Sequence, residues 1–303
     1  MDDWCATTSL ERAEPLAATA SRVERWLLVE HTGAWGPQSV PSGRLGVTIA
    51  KALAAAAAAA GARLLLIRRF DGEATAGARQ VYAVDSRPGH ELVLGRQVTD
   101  DDELLSLHVP VPLHLPPGQS AGWLPVREPL LLVCTHGRHD RCCATRGRPV
   151  ARALWERWPA TTWECSHVGG DRFAANVVVL PDGLYLGRLT PADVVAQVEA
   201  LAGGALPAGH VRGRSSLTLP AQAAQGFARE QLGRWGREDL APLGQEHAGA
   251  DRWRVRLGGS PKVHVVVRYD RAGDGDARVL SCGADAKTAA VFRLVELQVL
   301  APA

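Results

Sequence analysis

The sequence predicts an α/β protein made of two similar halves, followed by a smaller α+β segment. Short apolar runs typical of buried strands alternate with longer stretches typical of helices over the first part of the chain. The order of these elements recurs on the two sides of a proline-rich segment, 109–118. Beyond residue 212, one predicted helix is followed by strands in which apolar and polar residues alternate.

The first half opens with a partly helical lead-in over 1–20, which runs into a buried strand. Ser42 is expected to cap the next helix and Gly61 to end it. A second strand, a hairpin and a short acidic helix complete this half. The predicted elements are strand 25–30, helix 43–60, strand 63–68, hairpin strands 80–85 and 91–95, and helix 100–107.

The second half repeats that order. Thr190 is expected to cap its last helix, with Pro191 at the first helical position, and Gly203-Gly204 to end it. A hairpin precedes that helix and turns at Pro181-Asp-Gly183. The predicted elements are strand 129–134, helix 149–158, strand 161–165, hairpin strands 176–180 and 184–187, and the helix opened at Thr190.

Both halves therefore follow the order strand, helix, strand, hairpin, helix. That order matches a thioredoxin-like α/β unit, here duplicated. We predict three domains: 1–115, 119–211 and a C-terminal α+β appendage over 212–303. Within the appendage we predict helix 220–235 and strands 253–257, 263–269, 278–282 and 291–300.

Composition excludes several classes of partner. The formal net charge of +2 in 303 residues gives no reason to expect a nucleic-acid partner. No apolar run reaches the ~18 residues that cross a membrane, and the N-terminus has no signal-peptide core. We therefore expect a cytoplasmic protein without a membrane partner. In that compartment, clustered cysteines are more often metal-binding or catalytic than disulfide-bonded.

The chemistry is concentrated in two stretches of the second half. The stretch 134–143 carries two histidines and three cysteines, and 164–171 carries a further Cys/His/Asp group beside Gly169-Gly170. Thiolates suit iron–sulfur clusters or zinc, and imidazole suits both. The glycine pair permits a tight loop that aims His167 and Asp171 at one point. Cys5 and Cys282 lie outside these stretches and are interpreted as ordinary small apolar residues.

Three kinds of site remain open on these residues alone. The first is an iron–sulfur centre and the second a structural zinc module, although the eight-residue gap in the first stretch exceeds zinc-knuckle spacing. The third is a thiol-based oxidoreductase with Cys142 and Cys143 as nucleophiles, because neighbouring arginines lower thiol pKa values. A Cys-x-x-Cys redox motif is absent from the sequence.

The two stretches resemble the sucrase/ferredoxin-like family. The resemblance rests on Val133-Cys-Thr-His-Gly-Arg-His-Asp-Arg-Cys-Cys-Ala144 and Trp163-Glu-Cys-Ser-His-Val-Gly-Gly-Asp-Arg-Phe-Ala174. It continues through the hairpin and the Thr190 helix start, and Arg212-Gly-Arg-Ser-Ser216 is similar to a flanking motif. It covers most of residues 20–230.

The family is similar to thioredoxin-like [2Fe–2S] ferredoxins, and the resemblance implies a cluster held by four residues. By position these are Cys134, Cys143, His167 and Asp171. The family pattern has histidine at both positions of the second pair, whereas this chain has Asp171 at the second. Cys165 or Cys142 is the alternative fourth ligand.

The resemblance therefore implies an electron-transfer protein carrying one [2Fe–2S] cluster and serving an unidentified redox partner protein. An electron carrier is favoured over an enzyme. No paired-carboxylate site supports glycoside hydrolysis, despite the first half of the family name. The thiol-based oxidoreductase and the zinc interaction module remain the alternatives.

Overall fold

A ten-stranded mixed sheet forms the framework of the molecule. The computed structural model describes residues 4–38, 45–72, 77–111, 122–271 and 277–300. The described residues also form a four-stranded antiparallel sheet and a two-stranded ribbon. No helix within these ranges is long and apolar enough to cross a bilayer.

Residues 4–126 are called the first half and residues 130–214 the second half. The described part of the first half supplies five strands of the large sheet and three helices. Apolar runs form the central strands, as predicted, and every residue of β1 after the first is buried. The predicted cap Ser42 and the boundary between 115 and 119 lie outside the described residues. The elements are α1 (Cys5–Glu11), β1 (Arg25–Glu30), α2 (Val47–Ala59), β2 (Ala62–Arg68), β3 (Arg79–Asp85), β4 (Leu92–Val98), α3 (Asp101–Leu105) and β5 (Leu124–Val126).

The second half supplies the other five strands. Its predicted strands and hairpin are present, and β10 is an additional edge strand that the sequence pattern did not predict. The elements are β6 (Leu130–Cys134), α4 (Arg141–Arg157), β7 (Thr162–Cys165), a 3-10 helix (Asp171–Phe173), β8 (Val177–Leu180), β9 (Leu184–Leu186), α5 (Val194–Ala202) and β10 (Val211–Arg214).

The strand order is the same on both sides of the contact between β2 and β7. It runs β2-β1-β3-β4-β5 on one side and β7-β6-β8-β9-β10 on the other. In each set the first two strands are parallel and the rest are antiparallel. β2 and β7 pair antiparallel, and Arg68 Nε lies 2.7 Å from Glu164 Oε2 across this contact.

Two helix starts in the second half differ from the prediction. The helix predicted over 149–158 begins at Arg141, because the Asp140 side chain accepts a hydrogen bond from the Cys142 N–H at 2.7 Å and caps it. The helix predicted from Thr190 begins at Val194. Thr190 is not its cap: the Thr190 N–H instead donates to Asp193 Oδ1 at 2.9 Å in the preceding turn.

The large sheet encloses one core and is covered by helices on its other face. Buried residues of both halves form the enclosed core, including Trp26, Trp163 and Tyr185. On the opposite face, α2 and α3 cover the strands of the first half, and α4 and α5 cover those of the second. Both thiols of the predicted cluster pair, Cys134 and Cys143, belong to the enclosed core.

The C-terminal residues form a helix packed on an antiparallel sheet. The predicted strand 278–282 is wrong: only Ala277–Arg278 pairs, and Cys282 lies in the turn that follows. The elements are α6 (Leu219–Leu232), β11 (Pro242–His247), β12 (Arg252–Leu257), β13 (Val263–Arg271), β14 (Ala277–Arg278), β15 (Lys287–Thr288) and β16 (Ala290–Val299). Small residues of α6 face the valines of β12 and β13.

Candidate metal centre

The candidate site lies where the parallel strands β6 and β7 end. Cys134 is the last residue of β6, and His167 follows two residues after the end of β7. Cys143 comes from the first turn of α4, and Asp171 opens the 3-10 helix. Carboxyl ends of neighbouring parallel strands meet at one edge of a sheet, which is where open α/β sheets bind ligands.

Four donor side chains meet at this edge. One ligand atom each of Cys134, Cys143 and His167 lies within 4.8 Å of the other two. Asp171 Oδ1 lies 3.2 Å from Cys143 Sγ and 2.9 Å from His167 Nδ1. The structure therefore brings together the four residues that the family resemblance implied as ligands.

A second histidine, His139, also faces this group. Its ring centroid lies 3.6 Å from that of His167, and its Nε2 lies 3.6 Å from Asp171 Oδ2. His139, His167 and Asp171 thus form a second set of potential ligands that overlaps the first. Sequence reasoning placed His139 in the cysteine stretch without assigning it a role. The available signal was the His-x-x-His spacing from His136 within a stretch that also carries the thiols.

His136 positions the site. Its Nδ1 accepts a hydrogen bond from the His167 N–H at 3.3 Å, and its Nε2 lies 2.7 Å from the Gly36 carbonyl oxygen. A neutral imidazole with its proton on Nε2 satisfies both bonds. Burial lowers the pKa of His136, which favours this neutral form. Both ring nitrogens are therefore committed to backbone groups, one of them in the loop that follows β1 of the first half.

The four donor side chains shift one another's pKa values. A hydrogen bond with Cys143 holds the pKa of Cys134 well below its usual range, and the same contact with burial raises the pKa of Cys143. These opposite shifts favour a thiolate on one member of the pair while the other keeps its proton. Burial lowers the pKa of His167, but contacts with Asp171 and Cys134 outweigh it and raise the pKa to about 9. Burial opposes ionisation of Asp171, yet the two histidines hold its pKa well below its usual range.

The Gly169-Gly170 pair shapes the loop between His167 and Asp171. Both glycines have positive φ, at +95° and +78°. A Cβ on Gly170 would collide with the buried guanidinium of Arg212. The Arg212 Nη1 donates to the Gly169 carbonyl oxygen at 2.9 Å and to Asn176 Oδ1 at 2.8 Å. The absence of a side chain at Gly170 therefore leaves room for an arginine of β10, which holds the loop through the Gly169 carbonyl.

The two alternative fourth ligands lie elsewhere. Cys165 is buried next to Cys134 on the neighbouring strand, but it belongs to neither ligand group among the described residues. Cys142 lies with Cys5, Cys282 and Asp140 in a separate group. Cys5 and Cys282, interpreted from the sequence as ordinary apolar residues, are thus neighbours of Cys142. No sequence spacing predicted this, because the three cysteines are far apart along the chain.

The donor set fits an iron–sulfur group. Two buried thiols and an imidazole converge with an ionised carboxylate beside them, and a shared proton on the thiol pair leaves a thiolate ready to ligate a soft metal. The thiols come from β6 and α4, whereas the imidazole and carboxylate come from one loop. This division into two pairs corresponds to the two pairs of ligands in the family pattern.

Comparison with known proteins gives one family. The family described as Sucrase/ferredoxin-like matches residues 16–213. Crystal structures of a thioredoxin-like [2Fe–2S] ferredoxin from Aquifex aeolicus are similar to part of the chain. One cysteine-to-serine variant has 26% identity over 28% of this chain and 97% of its own, and another has 24% over the same shares, each with a TM-score of 0.24. No curated protein matches the chain.

Proposed function

The chain belongs to the sucrase/ferredoxin-like family, and we propose that it is an electron carrier that binds one [2Fe–2S] cluster. The proposed ligands are Cys134, Cys143, His167 and Asp171. The observation that supports this proposal most strongly is the convergence of these four side chains at one edge of the sheet, within the family's matched range.

Asp171 is the favoured fourth ligand because of its contacts. Its Oδ1 faces both Cys143 and His167, whereas Cys165 has no place in either ligand group of the described chain. Among the described residues, His139 is a better alternative fourth ligand than Cys165 or Cys142, since its Nε2 lies 3.6 Å from Asp171 Oδ2. If His139 ligates instead, Asp171 orients the His167 ring, as carboxylates do behind many ligating histidines.

Burial argues against a thiol-based oxidoreductase. A nucleophilic cysteine must be reachable by its substrate. The proposed nucleophiles of that alternative, Cys142 and Cys143, are each 0% exposed. The site therefore suits a bound group better than an attacking thiol.

The residues around the site have separate roles in the proposed electron carrier. A [2Fe–2S] cluster would supply one-electron chemistry, at a potential raised by histidine ligation. Cys134 and Cys143 exclude water from the inner side. The side chains of His167 and His139, 23% and 34% exposed, form the outer side. The Asp171 carboxylate lies 2.9 Å from His167 Nδ1 and favours the protonated imidazole, so His167 is the group through which proton uptake can accompany reduction.

We further propose that the large sheet consists of two thioredoxin-like halves, of which only the second carries the cluster. The equal strand order on the two sides of the β2–β7 contact supports this. The exposed histidines mark the face where a redox partner protein would exchange the electron. All six cysteines are free, which suits a reducing compartment such as the cytoplasm.

The test is chemical analysis of the full chain purified without oxygen. We expect about two irons and two acid-labile sulfides per chain, with a red-brown colour. Variants Cys134→Ser and Cys143→Ser should lose both. A colourless protein with zinc bound at Cys134 and Cys143, and no sulfide, would contradict the proposal and leave a structural zinc module.

A further inference from the structure

Three cysteines from distant parts of the chain meet at a second place. Cys5 lies in α1, Cys142 in the first turn of α4, and Cys282 in the turn after β14. The Sγ–Sγ distances are 3.7 Å for Cys5 and Cys142, 3.4 Å for Cys142 and Cys282, and 3.5 Å for Cys282 and Cys5. All three pairs are therefore in contact, and the sulfur atoms form a nearly equilateral triangle.

The size of the triangle matches one tetrahedral metal ion. A Zn–S bond is about 2.3 Å long, so two thiolates on one tetrahedral zinc are separated by about 3.8 Å. The three observed distances fall just below this edge length. A disulfide would join two of the sulfur atoms at about 2.0 Å and leave the third thiol without a role.

A carboxylate completes the group. Asp140 Oδ2 lies 3.6 Å from Cys5 Sγ, and ligand atoms of all four residues lie within 4.8 Å of one another. The same oxygen accepts hydrogen bonds from the Cys282 N–H at 2.6 Å and the Ser281 hydroxyl at 2.9 Å. Asp140 therefore ties the Cys282 turn to the start of α4.

Backbone groups also orient the sulfur atoms. The Cys5 N–H donates to Cys282 Sγ at 3.4 Å, and the Cys142 N–H donates to Asp140 Oδ1 at 2.7 Å. Such contacts behind the ligands fix their direction and are typical of metal–thiolate sites. Cys5 and Cys142 are 1% and 0% exposed, so little of the group is open to substrate.

We propose that Cys5, Cys142, Cys282 and Asp140 bind one structural Zn²⁺ ion. Three soft thiolates and one oxygen donor at tetrahedral spacing favour zinc over magnesium or calcium, which prefer oxygen donors. Four protein ligands, three of them buried and Cys282 partly buried, fill all four positions of a tetrahedral ion, which indicates a structural site. This proposal concerns different ligands from those of the cluster and holds whether or not that cluster is present.

The ion would cross-link the two ends of the described chain to its centre. Cys5 and Cys142 are 137 residues apart, and Cys142 and Cys282 are 140 apart. α1 also contacts Ala174, just after the loop that carries Asp171. Zinc binding would therefore stabilise the packing of α1 and of the turn after β14 on the second half, because the free energy of metal binding adds to that of folding.

Metal analysis of cysteine variants tests the proposal. The full chain is purified under reducing, oxygen-free conditions with one equivalent of zinc, and zinc, iron and sulfide are measured. We expect one zinc per wild-type chain and at least a tenfold loss of zinc in Cys5→Ser and Cys282→Ser, with iron and sulfide unchanged. Cys165→Ser is the matched control, a buried cysteine outside both groups, and should keep its zinc.

Three outcomes would overturn the zinc site: no zinc in the wild-type protein, unchanged zinc in both Cys5→Ser and Cys282→Ser, or zinc lost in Cys143→Ser but kept in Cys5→Ser. A wild-type protein that contains zinc but neither iron nor sulfide would count against the electron-carrier proposal only. The two proposals therefore fail separately.

Zinc-edge X-ray absorption on the wild-type protein avoids any dependence on variants that fold. We expect about three sulfur neighbours at about 2.3 Å and one oxygen at about 2.0 Å. Two sulfur atoms with an imidazole nitrogen would instead place the zinc at Cys134, Cys143 and His167. That result would overturn the proposal.

Discussion

Replacing Gly170 with alanine tests how the loop between His167 and Asp171 is held. Gly170 has φ +78°, a conformation that costs an alanine about 1 kcal/mol. The added Cβ would also collide with the guanidinium of Arg212. Arg212 makes four hydrogen bonds, two to Thr19 and one each to Gly169 and Asn176. If it moves away, at least two of them are lost, and each bond from a charged donor is worth about 1.5–3 kcal/mol.

The expected loss for Gly170→Ala is therefore at least about 4 kcal/mol in the free energy of unfolding. That is a large fraction of the ~5–15 kcal/mol by which most proteins are stable. Gly204→Ala is the matched control. Gly204 has φ +84° and nothing within 4 Å of an added Cβ, so it should lose only about 1 kcal/mol.

The assay is urea unfolding of both variants beside the wild-type protein. A shifted midpoint, or no cooperative transition at all, is expected for Gly170→Ala, and a small shift for Gly204→Ala. Iron content should fall in the first variant and stay constant in the second, because Gly170 lies between two proposed ligands. Equal midpoints for the two variants would show that Arg212 does not constrain the loop as we describe.

Three further predictions concern the site and its support. Asp171→Ala should leave an unstable or spectrally altered cluster while Cys165→Ser is nearly silent in the visible spectrum; the reverse pattern would make Cys165 the ligand. The midpoint potential should fall with rising pH by up to about 59 mV per unit, and His167→Cys should lower the potential and remove most of that slope, as protein-film voltammetry can measure. A wild-type potential independent of pH would exclude histidine as a ligand. Arg68→Ala should cost about 3 kcal/mol in urea unfolding, because the buried Glu164 carboxylate is then left with only Arg148, whose Nε lies 3.6 Å away on a mostly exposed side chain. Arg148→Ala, which leaves the shorter contact to Arg68 in place, should cost less than about 1 kcal/mol; equal losses would mean that Arg68 does not compensate that charge.

Much of the sheet could be predicted because its central strands are continuous apolar runs. β1 and β6 are buried over nearly their whole length, so almost every position in them is apolar and the strands are visible in the sequence. β5 was missed because it is a three-residue edge strand whose Leu124 is exposed. An apolar pattern cannot identify a strand that has no buried face.

The start of α4 was missed for a related reason. Its first turn carries Arg141, Cys142 and Cys143, which show no helical apolar periodicity. The helix begins there because Asp140 caps it, and a single capping residue is a weak signal beside a polar stretch. The proposed cluster ligands could be named from the family pattern because their spacing is local. Cys5 and Cys282 could not be grouped with Cys142, since their proximity depends on the completed fold.

The adjacent thiols Cys142 and Cys143 face different neighbours, and the rotation of α4 separates them. Cys143 belongs to the core enclosed by the sheet, and Cys142 to the small group with Cys5. Successive residues of a helix point about 100° apart, so the angular phase of one turn decides which thiol joins which ligand set. Asp140 sets that phase through its bonds to the N–H groups of both cysteines. A one-residue insertion between Asp140 and Cys142 would place Cys142 where Cys143 now points, and deletion of Arg141 would place Cys143 where Cys142 now points. The segment 140–143 must therefore keep its length, because that length directs Cys143 toward the proposed cluster ligands and Cys142 toward the proposed zinc ligands.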